Sequence, residues 1–359
     1  MLYAFMNPER VLVTSQHGEC HMNTFEFCVF IGRFQPFHLA HQDILTQALQ
    51  RSNKVIIVLG GYKNASNIKN PWFSTEREKM IRANLSEEDN ARVSFIHMRD
   101  YLYNDNLWLT VVQQKVEEIT GNSTNVALIG HQYDRSSSYL TQFPQWERIE
   151  VKHLDKFLHA TDIRQLYFTH DAAYKKYLPE GTVKFLEDFK KTEAFKNLKE
   201  EYDFLKEYRA SWEGAPFPPT FITVDAVVVR SGHVLVVRRR GNPGKGLMAL
   251  PGGFLNQHEK IQDGMLRELK EETAIKLPKE ELEKCIRDNK VFDHPDRSLR
   301  GRTITHAFLV DLKSGALPQV KGSDDADKAW WMPLNEIYDR EDEFFEDHFH
   351  IISYFINRF

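Results

Sequence analysis

Two stretches of this 359-residue sequence combine residue types and spacings that suit phosphate chemistry. The first is a polar turn from Gly32 to His41, with the sequence GRFQPFHLAH, between an apolar run and a helical pattern. His38 and His41 are three residues apart, so they face the same side of a helix's first turn. Backbone N–H groups and the positive helix end attract anions there. We expect both imidazoles to donate hydrogen bonds to phosphates and to stabilise charge as pyrophosphate leaves.

A pair of histidines at a helix start is also compatible with two roles that involve no phosphate. The pair can belong to the fold without any chemistry, or it can be part of a zinc site. Zinc is disfavoured because no third ligand follows at the usual spacing. The whole turn, and not the HxxH pair alone, favours phosphate binding.

The second stretch, GGFLNQHEKIQDGMLRELKEETAI at 252–275, is rich in glutamate. On a helix Glu268, Glu271 and Glu272 lie within roughly 100° of arc. Like charges so placed repel each other, so they either extend into water beside lysines or are neutralised by a divalent cation. Ligands that are all oxygens favour Mg²⁺, with Mn²⁺ possible, over zinc.

The elements around the first stretch predict an α/β fold. Four short apolar runs predict strands, and amphipathic stretches separate them, at 27–31, 55–59, 93–96 and 126–129. Such alternation is typical of a parallel sheet covered by helices. Thr75 and Glu78 have capping-box spacing and predict a helix start. Aromatic and leucine residues at helical intervals over 180–209 predict helices that pack against this domain.

A run of prolines divides the chain. The segment holds Pro216 and the adjacent Pro218 and Pro219, which cannot continue a helix or sit centrally in a sheet. After them the pattern changes to strands, one helix from about Lys260 and further strands, which predicts an α+β domain. We therefore expect an N-terminal extension of unknown role, a first domain with C-terminal helices, a linker and a second domain, at 1–21, 22–213, 214–219 and 220–359.

The first stretch resembles the GxFxPxHxGH signature of nucleotidyltransferases, with Ala40 where many members carry glycine. Residues 25–210 are similar to the archaeal-type nicotinamide mononucleotide adenylyltransferases, which implies a Rossmann-like domain. The resemblance implies a catalytic set of His38, His41 and Arg164, and substrate-binding residues Gly32, Arg33, Phe34, Gln35, Asn70, Trp108, Asp134, Ser136 and Thr161. Trp108 is equally consistent with core packing and with stacking on the pyridine.

The implied reaction is in-line attack by a mononucleotide phosphate on the α-phosphate of ATP, with Mg²⁺ on the phosphates. Pyrophosphate leaves, and no covalent intermediate with the protein is needed. Positioning and charge stabilisation carry such chemistry, so we expect no protein nucleophile.

The second stretch resembles the Nudix box. The resemblance implies Glu259, Glu268, Glu271 and Glu272 as metal ligands, and Arg267 as the residue that orients a glutamate. Arg267 and Glu268 would form the catalytic core as water attacks a pyrophosphate. Ala274 replaces the box's final glycine, which puts the helix end in doubt more than metal binding.

An arginine-rich loop at 292–302 suits substrate selection. Arg297, Arg300 and Arg302 can clasp phosphates or a carboxylate, although a solvated basic loop is an equal alternative. With Asp324-Asp325-Ala326 and Trp330-Trp331 downstream, the segment is similar to Nudix proteins that act on ADP-ribose.

The order of the two domains resembles the bifunctional nicotinamide mononucleotide adenylyltransferase and Nudix ADP-ribose pyrophosphatase family. Two alternatives stay open: a Nudix half that only senses a ligand, and a different acceptor such as nicotinate mononucleotide or a cytidylyltransferase substrate. The complete glutamates and the short acidic tail around 341–347 oppose the sensing role.

Composition narrows the partners. A net charge of −4 argues against bulk nucleic-acid binding, and no stretch has the length and apolarity of a membrane span. Three cysteines without CxxC spacing argue against disulfides or a zinc knuckle. We expect a cytoplasmic enzyme whose ligands are ATP, nicotinamide mononucleotide, NAD and ADP-ribose. The sequence is compatible with a homo-oligomer.

Overall fold

The structure, a computed structural model, describes residues 25–121, 123–130, 140–151, 159–323 and 325–356. Two predicted ligand-binding residues, Asp134 and Ser136, lie outside these ranges, as do residues 1–24.

The first half folds around a five-stranded parallel sheet with the order β3-β2-β1-β4-β5. The strands are β1 (Phe25–Gly32), β2 (Ser52–Leu59), β3 (Val93–His97), β4 (Val126–Gly130) and β5 (Glu147–Glu150). Phe27 of β1 lies opposite Lys54 on one side and Val126 on the other. The chain therefore reverses its direction across the sheet between β1 and β4. Open α/β sheets bind ligands at the carboxyl ends of the strands that flank such a switch.

Helices cover both faces of this sheet, as the sequence predicts. They are α1 (Leu39–Arg51), α2 (Ser74–Arg82), α3 (Glu87–Arg92), α4 (Asp105–Thr120), α5 (Ala160–Phe168), a 3₁₀ segment (Ala172–Tyr177), α6 (Glu180–Phe189) and α7 (Glu193–Ala210). Side chains alternate along β1, so Phe30 packs in one core with Leu45 of α1 while Val29 packs in another with Val112 of α4. Leu198 of α7 joins the first of these cores, which confirms the predicted packing of the late helices.

Helix α2 starts differently from the prediction. The expected capping box joined Thr75 to Glu78, but the N-cap is Phe73, whose N–H donates to Glu76 Oε2 at 2.8 Å. Thr75 already lies inside the helix, so its hydroxyl cannot fill the N-cap position, and the capping prediction was wrong.

The second half folds around a mixed sheet with the order β10-β11-β6-β7-β12, to which two short strands add at β7 and β6. The strands are β6 (Thr220–Arg230), β7 (His233–Arg239), β8 (Met248–Ala249), β9 (Gly252–Phe254), β10 (Ile286–Phe292), β11 (Arg302–Asp311) and β12 (Ala326–Pro333). Strands β6 and β11 run parallel over their full length, whereas β10 pairs with β11 and β7 with β12 in antiparallel fashion.

Two helices sandwich this sheet. Helix α8 (Ile261–Thr273) packs Leu269 against Val224 on one face, and α10 (His348–Ile356) packs Ile352 against Val227 on the other. A short α9 (Lys279–Lys284) and 3₁₀ segments at Leu334–Asp339 and Glu341–Glu343 complete the fold. The sequence interpretation treated the C-terminal segment only as short and acidic and did not predict α10. The acidic residues at 341–347 directly precede this apolar helix and drew attention away from it.

Residues 211–219, which include the prolines, contain neither helix nor strand. Within the described ranges no helix is long and apolar enough to cross a membrane.

Candidate active sites

The turn from Gly32 to His41 lies at the carboxyl end of the central strand β1, where the strand order switches. Phe34 has a φ of 49° and folds its ring back over Gly32. A Cβ at Gly32 would lie 2.8 Å from that ring, so only glycine leaves room for it. The turn therefore lies at the point where open α/β sheets hold their ligands.

His38 and His41 stack on each other, with ring centroids 3.6 Å apart. The His38 N–H donates to His41 Nδ1 at 3.4 Å. Burial lowers the pKa of His38 to about 3, with help from His159 and Arg164, and burial with the neighbouring His38 lowers the pKa of His41 well below its usual value. Both imidazoles are therefore neutral at pH 7, and His38 Nδ1 has no hydrogen-bond partner. A neutral imidazole can still donate one hydrogen bond to a phosphate oxygen.

Arg164 ties helix α5 to this turn. Its Nη1 donates to the Gln35 carbonyl at 2.6 Å and its Nη2 to Thr161 Oγ1 at 3.2 Å. Burial lowers the pKa of Arg164 to about 10, so it stays charged at pH 7. A cation and the positive end of α5 thus lie beside the two histidines.

Gln35, a predicted substrate-binding residue, uses its side chain for the fold. Its amide donates to the Trp72 carbonyl at 2.8 Å and accepts from the Trp72 N–H at 3.2 Å. This differs from the expected ligand contact, because both polar atoms of the buried amide are satisfied by one backbone unit.

Arg77 is a residue that the sequence interpretation missed. It is fully buried, and its guanidinium donates to four backbone carbonyls, those of Trp72, Arg33, Gly60 and Gly61, at 2.6 to 3.3 Å. These carbonyls belong to the ends of β1 and β2 and to the start of α2. A single cation therefore fixes the relative positions of three segments around the turn. The segment Thr75-Glu76-Arg77 resembles the archaeal-type adenylyltransferases, but no role for Arg77 was inferred from that resemblance.

A cavity of about 520 Å³ opens beside His41 and contains Gly32, Arg33 and Trp108 in its lining. Trp108 is half-buried and packs on Phe143 with centroids 6.1 Å apart, so it belongs to the core and to the cavity wall at once. Arg33 forms an ion pair with Asp100 at 3.0 Å. Asn70 lines an adjoining cavity of about 910 Å³ and not the one beside His41.

In the second half, the glutamate-rich segment forms α8, and Arg267 gathers its carboxylates. The Arg267 guanidinium donates to Glu259 at 2.6 and 3.0 Å and to both Glu268 and Glu271 at 2.8 Å. It also donates to the Phe254 carbonyl of β9 at 3.2 Å. The hydrogen bonds to Glu259 raise the pKa of Arg267 and lower that of Glu259.

Glu268 and Glu272 occupy the buried side of α8. Burial raises the pKa of Glu268, and raises that of Glu272 to about 8 although the latter accepts the Gly252 N–H at 2.9 Å. A Cβ at Gly253 would lie 2.6 Å from the Glu268 carboxyl, so this glycine makes the space that the carboxyl occupies. Two like charges kept from water in this way favour a bound cation.

The expected four-glutamate set is not assembled. Among the described residues, no three His, Cys, Asp or Glu side chains converge as a metal site, and the glutamates turn to Arg267 or to backbone. The oxygen-only donors and the two buried carboxylates of raised pKa nevertheless fit a hard divalent cation.

Helix α8 ends as a glycine-terminated helix would. Ala274 is the C-cap and adopts the left-handed conformation with φ 46°, and its N–H donates to the Lys270 carbonyl. The helix end that the substitution put in doubt is therefore present, at the strain that a Cβ brings to this conformation.

The three predicted arginines of the β10–β11 loop are placed differently from one another. Arg297 is buried and pairs with Asp347 through two hydrogen bonds of 2.8 and 2.9 Å, so its expected role as a phosphate clasp is not what the structure presents. Arg302 donates to the Asp293 carbonyl. Arg300 lies over the Phe254 ring at 5.1 Å, beside β9.

Arg239 is a second residue that the sequence interpretation missed. It lies over the Phe345 ring at 4.1 Å, and Arg300 lies over the same ring at 5.7 Å. Burial lowers the pKa of Arg239, as does the neighbouring Arg300, while Glu272 opposes the shift. Two guanidinium groups therefore share one aromatic ring, and Arg239 is close enough to Glu272 for their charges to interact.

Comparisons with known proteins match each half separately. The Cytidylyltransferase-like family model matches residues 29–166, and the NUDIX domain model matches residues 219–355. A nicotinamide/nicotinic acid mononucleotide adenylyltransferase from Acinetobacter baylyi is 44% identical over 181 residues, which cover 50% of this chain and 95% of the relative. An ADP-ribose pyrophosphatase from Methanocaldococcus jannaschii is 35% identical over 133 residues, which cover 37% of this chain and 70% of the relative.

A solved structure matches both halves together. The bifunctional NMN adenylyltransferase/ADP ribose pyrophosphatase from Francisella tularensis, crystallised with AMP and a manganese ion, is 39% identical and superposes with a TM-score of 0.88. The match covers 93% of this chain and 99% of that one. The chain therefore belongs to the family of bifunctional nicotinamide mononucleotide adenylyltransferases and ADP-ribose pyrophosphatases.

Proposed function

We propose that the chain is an enzyme of NAD metabolism with two activities. The first site transfers AMP from ATP to nicotinamide mononucleotide and gives NAD and pyrophosphate. The second hydrolyses ADP-ribose to AMP and ribose 5-phosphate. The observation that carries the proposal is that both sites are built in one chain, with neutral stacked histidines at the strand switch and a glutamate helix ordered by Arg267.

In the first reaction the side chains of the protein position the two nucleotides and stabilise the charge on their phosphates. A phosphate oxygen of the mononucleotide attacks the α-phosphorus of ATP, and the bond to the bridging oxygen of pyrophosphate breaks. His38 and His41 donate neutral hydrogen bonds to the phosphates, and Arg164 contributes a fixed positive charge. Trp108 and Arg33 lie along the same cavity and would contact the mononucleotides. The histidines need not gain or lose a proton, because pyrophosphate is a stable leaving group.

In the second reaction water attacks one phosphorus of the diphosphate, and the bond to the bridging oxygen breaks. Attack at either phosphorus gives the same two products. Arg239 and Arg300 are the cations placed to bind the diphosphate, while Arg297 positions their loop through Asp347. Arg302 extends the basic loop and holds Asp293.

Glu268, Glu271 and Glu272 would hold the divalent ion, with Glu259 in support through Arg267. We propose Mg²⁺, with Mn²⁺ as the alternative that the Francisella tularensis structure suggests. The ion, when bound, supplies the positive charge that offsets charge developing on the phosphates. The ion would stabilise the buried carboxylates of Glu268 and Glu272 most, because its positive charge offsets the free energy lost when these charged groups are kept from water.

The domain limits support independent tests of the two halves. We propose a nucleotidyltransferase domain at 22–213, a linker at 214–219 and a Nudix domain at 220–359, since α7 ends at Ala210 and β6 begins at Thr220. We place both reactions in the cytoplasm, where their nucleotide substrates occur, and Cys28 and Cys285 are free thiols as that compartment requires.

The test is a double dissociation in the full-length chain with Mg²⁺. Glu272→Gln should abolish release of AMP from ADP-ribose and leave NAD synthesis within twofold of wild type. His41→Ala should do the opposite. Glu283→Gln, a carboxylate of α9 outside the box, is the matched control and should change neither activity.

The results also decide between the alternatives. Full NAD synthesis without hydrolysis of ADP-ribose or related dinucleotides would sink the second activity and leave a ligand-sensing module. Nicotinate mononucleotide belongs in the same assay, because the Acinetobacter baylyi relative is named for both forms. Loss of both activities in either variant would show that the sites are not separate.

A further inference from the structure

The cavity beside His41 has a wall residue from the other half of the chain. His294, in the loop between β10 and β11, lines this cavity together with Trp108, Tyr101 and Leu102. The first site is therefore closed in part by the Nudix half.

Two contacts hold the His294 loop against the first half. Lys69 forms an ion pair with Asp296 at 3.1 Å. The hydroxyl of Tyr103 donates to Asp347 Oδ2 at 2.5 Å, and the same carboxylate anchors the buried Arg297. The loop that carries His294 is therefore held in place through Asp296 and through Arg297.

His294 lies beside the segment that leads into α4. Its ring packs edge-on against Tyr103 with centroids 6.3 Å apart, and Tyr103 stands two residues before α4, which carries Trp108. His41 and Gly32 line the same cavity. In the proposed function His41 contacts the phosphates and Trp108 the mononucleotide, so a residue beside the segment that leads to Trp108 would lie near the acceptor.

We propose that His294 is an acceptor-binding residue of the adenylyltransferase reaction, supplied by the Nudix half. His294 Nδ1 accepts the Asp296 N–H at 3.2 Å, so Nε2 carries the proton and is the donor left for a ligand. An oxygen of the carboxamide on the pyridine, or of the adjoining ribose, is a matching acceptor. The inference rests on the proposed function of the first site.

The effect should fall on binding and not on the chemical step. The Acinetobacter baylyi relative corresponds to the first half alone, so the reaction itself does not depend on a second domain. Loss of one hydrogen bond to a neutral ligand oxygen corresponds to a change in KM of about 5- to 10-fold.

Three substitutions in the full-length chain separate the side chain's donor from its role in the loop. His294→Ala should raise KM for nicotinamide mononucleotide about 5- to 10-fold, with kcat, KM for ATP and ADP-ribose hydrolysis within twofold of wild type. His294→Asn keeps an acceptor for the Asp296 N–H and should bind the mononucleotide as poorly as His294→Ala. His294→Gln places an amide nitrogen near the position of Nε2 and should recover part of the loss. His233→Ala, at a partly buried histidine of β7, is the control.

The outcomes are decisive in either direction. If His294→Ala leaves KM for the mononucleotide within twofold, or if His294→Asn restores it, the inference is overturned. The same holds if KM for ATP rises equally. A wild-type chain that makes no NAD would instead defeat the proposed function itself.

Discussion

In each of the two sites one arginine donates its hydrogen bonds to other groups of the protein. The acceptors differ between the two sites. Arg77 at the first site binds only backbone carbonyls and is fully buried. Arg267 at the second binds carboxylates of Glu259, Glu268 and Glu271 and is partly exposed.

The difference teaches how each site is completed. Backbone carbonyls are fixed parts of the fold, so Arg77 can hold the phosphate turn whether or not a nucleotide is bound. Carboxylates are also metal ligands, so Arg267 holds groups that a cation must share. The first site is organised by the fold, whereas the second is organised for an ion.

The largest expected effect is loss of the arginine that binds carbonyls. Arg77→Met should leave the Arg33, Gly60 and Gly61 carbonyls without the donor that Arg77 provides and lower the unfolding free energy of the first half by about 3 to 5 kcal/mol. NAD synthesis should fall more than about 100-fold, because the ends of β1 and β2 lose their registration. Thermal unfolding and initial rates measure both effects.

The matched control for this change is Arg82→Met, one turn along the same helix. Arg82 is half-exposed and pairs with Glu78, so the cost should stay below about 1 kcal/mol. Equal losses in the two variants would contradict the special role of Arg77. ADP-ribose hydrolysis, measured in the same preparations, should stay within twofold.

The second prediction concerns the arginine that binds carboxylates. Arg267→Gln should lower ADP-ribose hydrolysis about 100-fold, because the glutamates lose the group that orders them. Without Arg267 the carboxylates also repel each other, so Mg²⁺ should raise the melting temperature more in the variant than in wild type. An equal Mg²⁺ shift in both proteins would show that Arg267 and the cation do not share ligands. NAD synthesis is the internal control.

The third prediction concerns the first site alone and its loss of stability at acid pH. Burial lowers the folded-state pKa of His38 to about 3, so between pH 6.5 and 3 the unfolded chain binds a proton that the folded chain refuses. This contribution to stability is complete above pH 6.5 and is lost as the pH falls. At pH 5.5 the loss should amount to about 1 kcal/mol.

Unfolding measured at pH 7.5 and pH 5.5 tests this sign. His38→Gln should lose less stability on acidification than wild type does, whereas His258→Gln, at an exposed position, should leave the difference unchanged. A His38 variant that is as acid-sensitive as wild type would place the acid response elsewhere.

Local patterns predicted most of the fold and the identity of both sites. Four of the five strands of the first half and helix α8 were predicted to within a few residues, because their apolar periodicity is local, whereas the largely exposed β5 was not predicted. Contacts between distant residues could not be predicted in this way. Tyr103 and Asp347 are 244 positions apart. The sequence around Arg297 likewise does not indicate that Asp347 pairs with it.

The site residues show the same limit. His38 and Glu268 were found because their motifs are contiguous. Arg77 and Arg239 were missed because their importance lies in what surrounds them after folding: four carbonyls in one case, and an aromatic ring shared with Arg300 in the other.

The smallest expected effect concerns the backbone beneath the second site. Ala274 holds a left-handed conformation, with φ 46°, at the end of α8, just beyond the glutamates. Ala274→Gly should relieve the strain of the Cβ and, despite the added freedom of the unfolded chain, raise the stability of the Nudix half by about 1 kcal/mol. In thermal unfolding this corresponds to roughly 3 °C.

Ala249→Gly, at a buried strand position, is the contrasting change and should destabilise the Nudix half. If Ala274→Gly also lowered the melting temperature, the helix end would owe its shape to packing around the Cβ. ADP-ribose hydrolysis should be unchanged in Ala274→Gly, since the carboxylates depend on Arg267 and not on the residue that closes their helix.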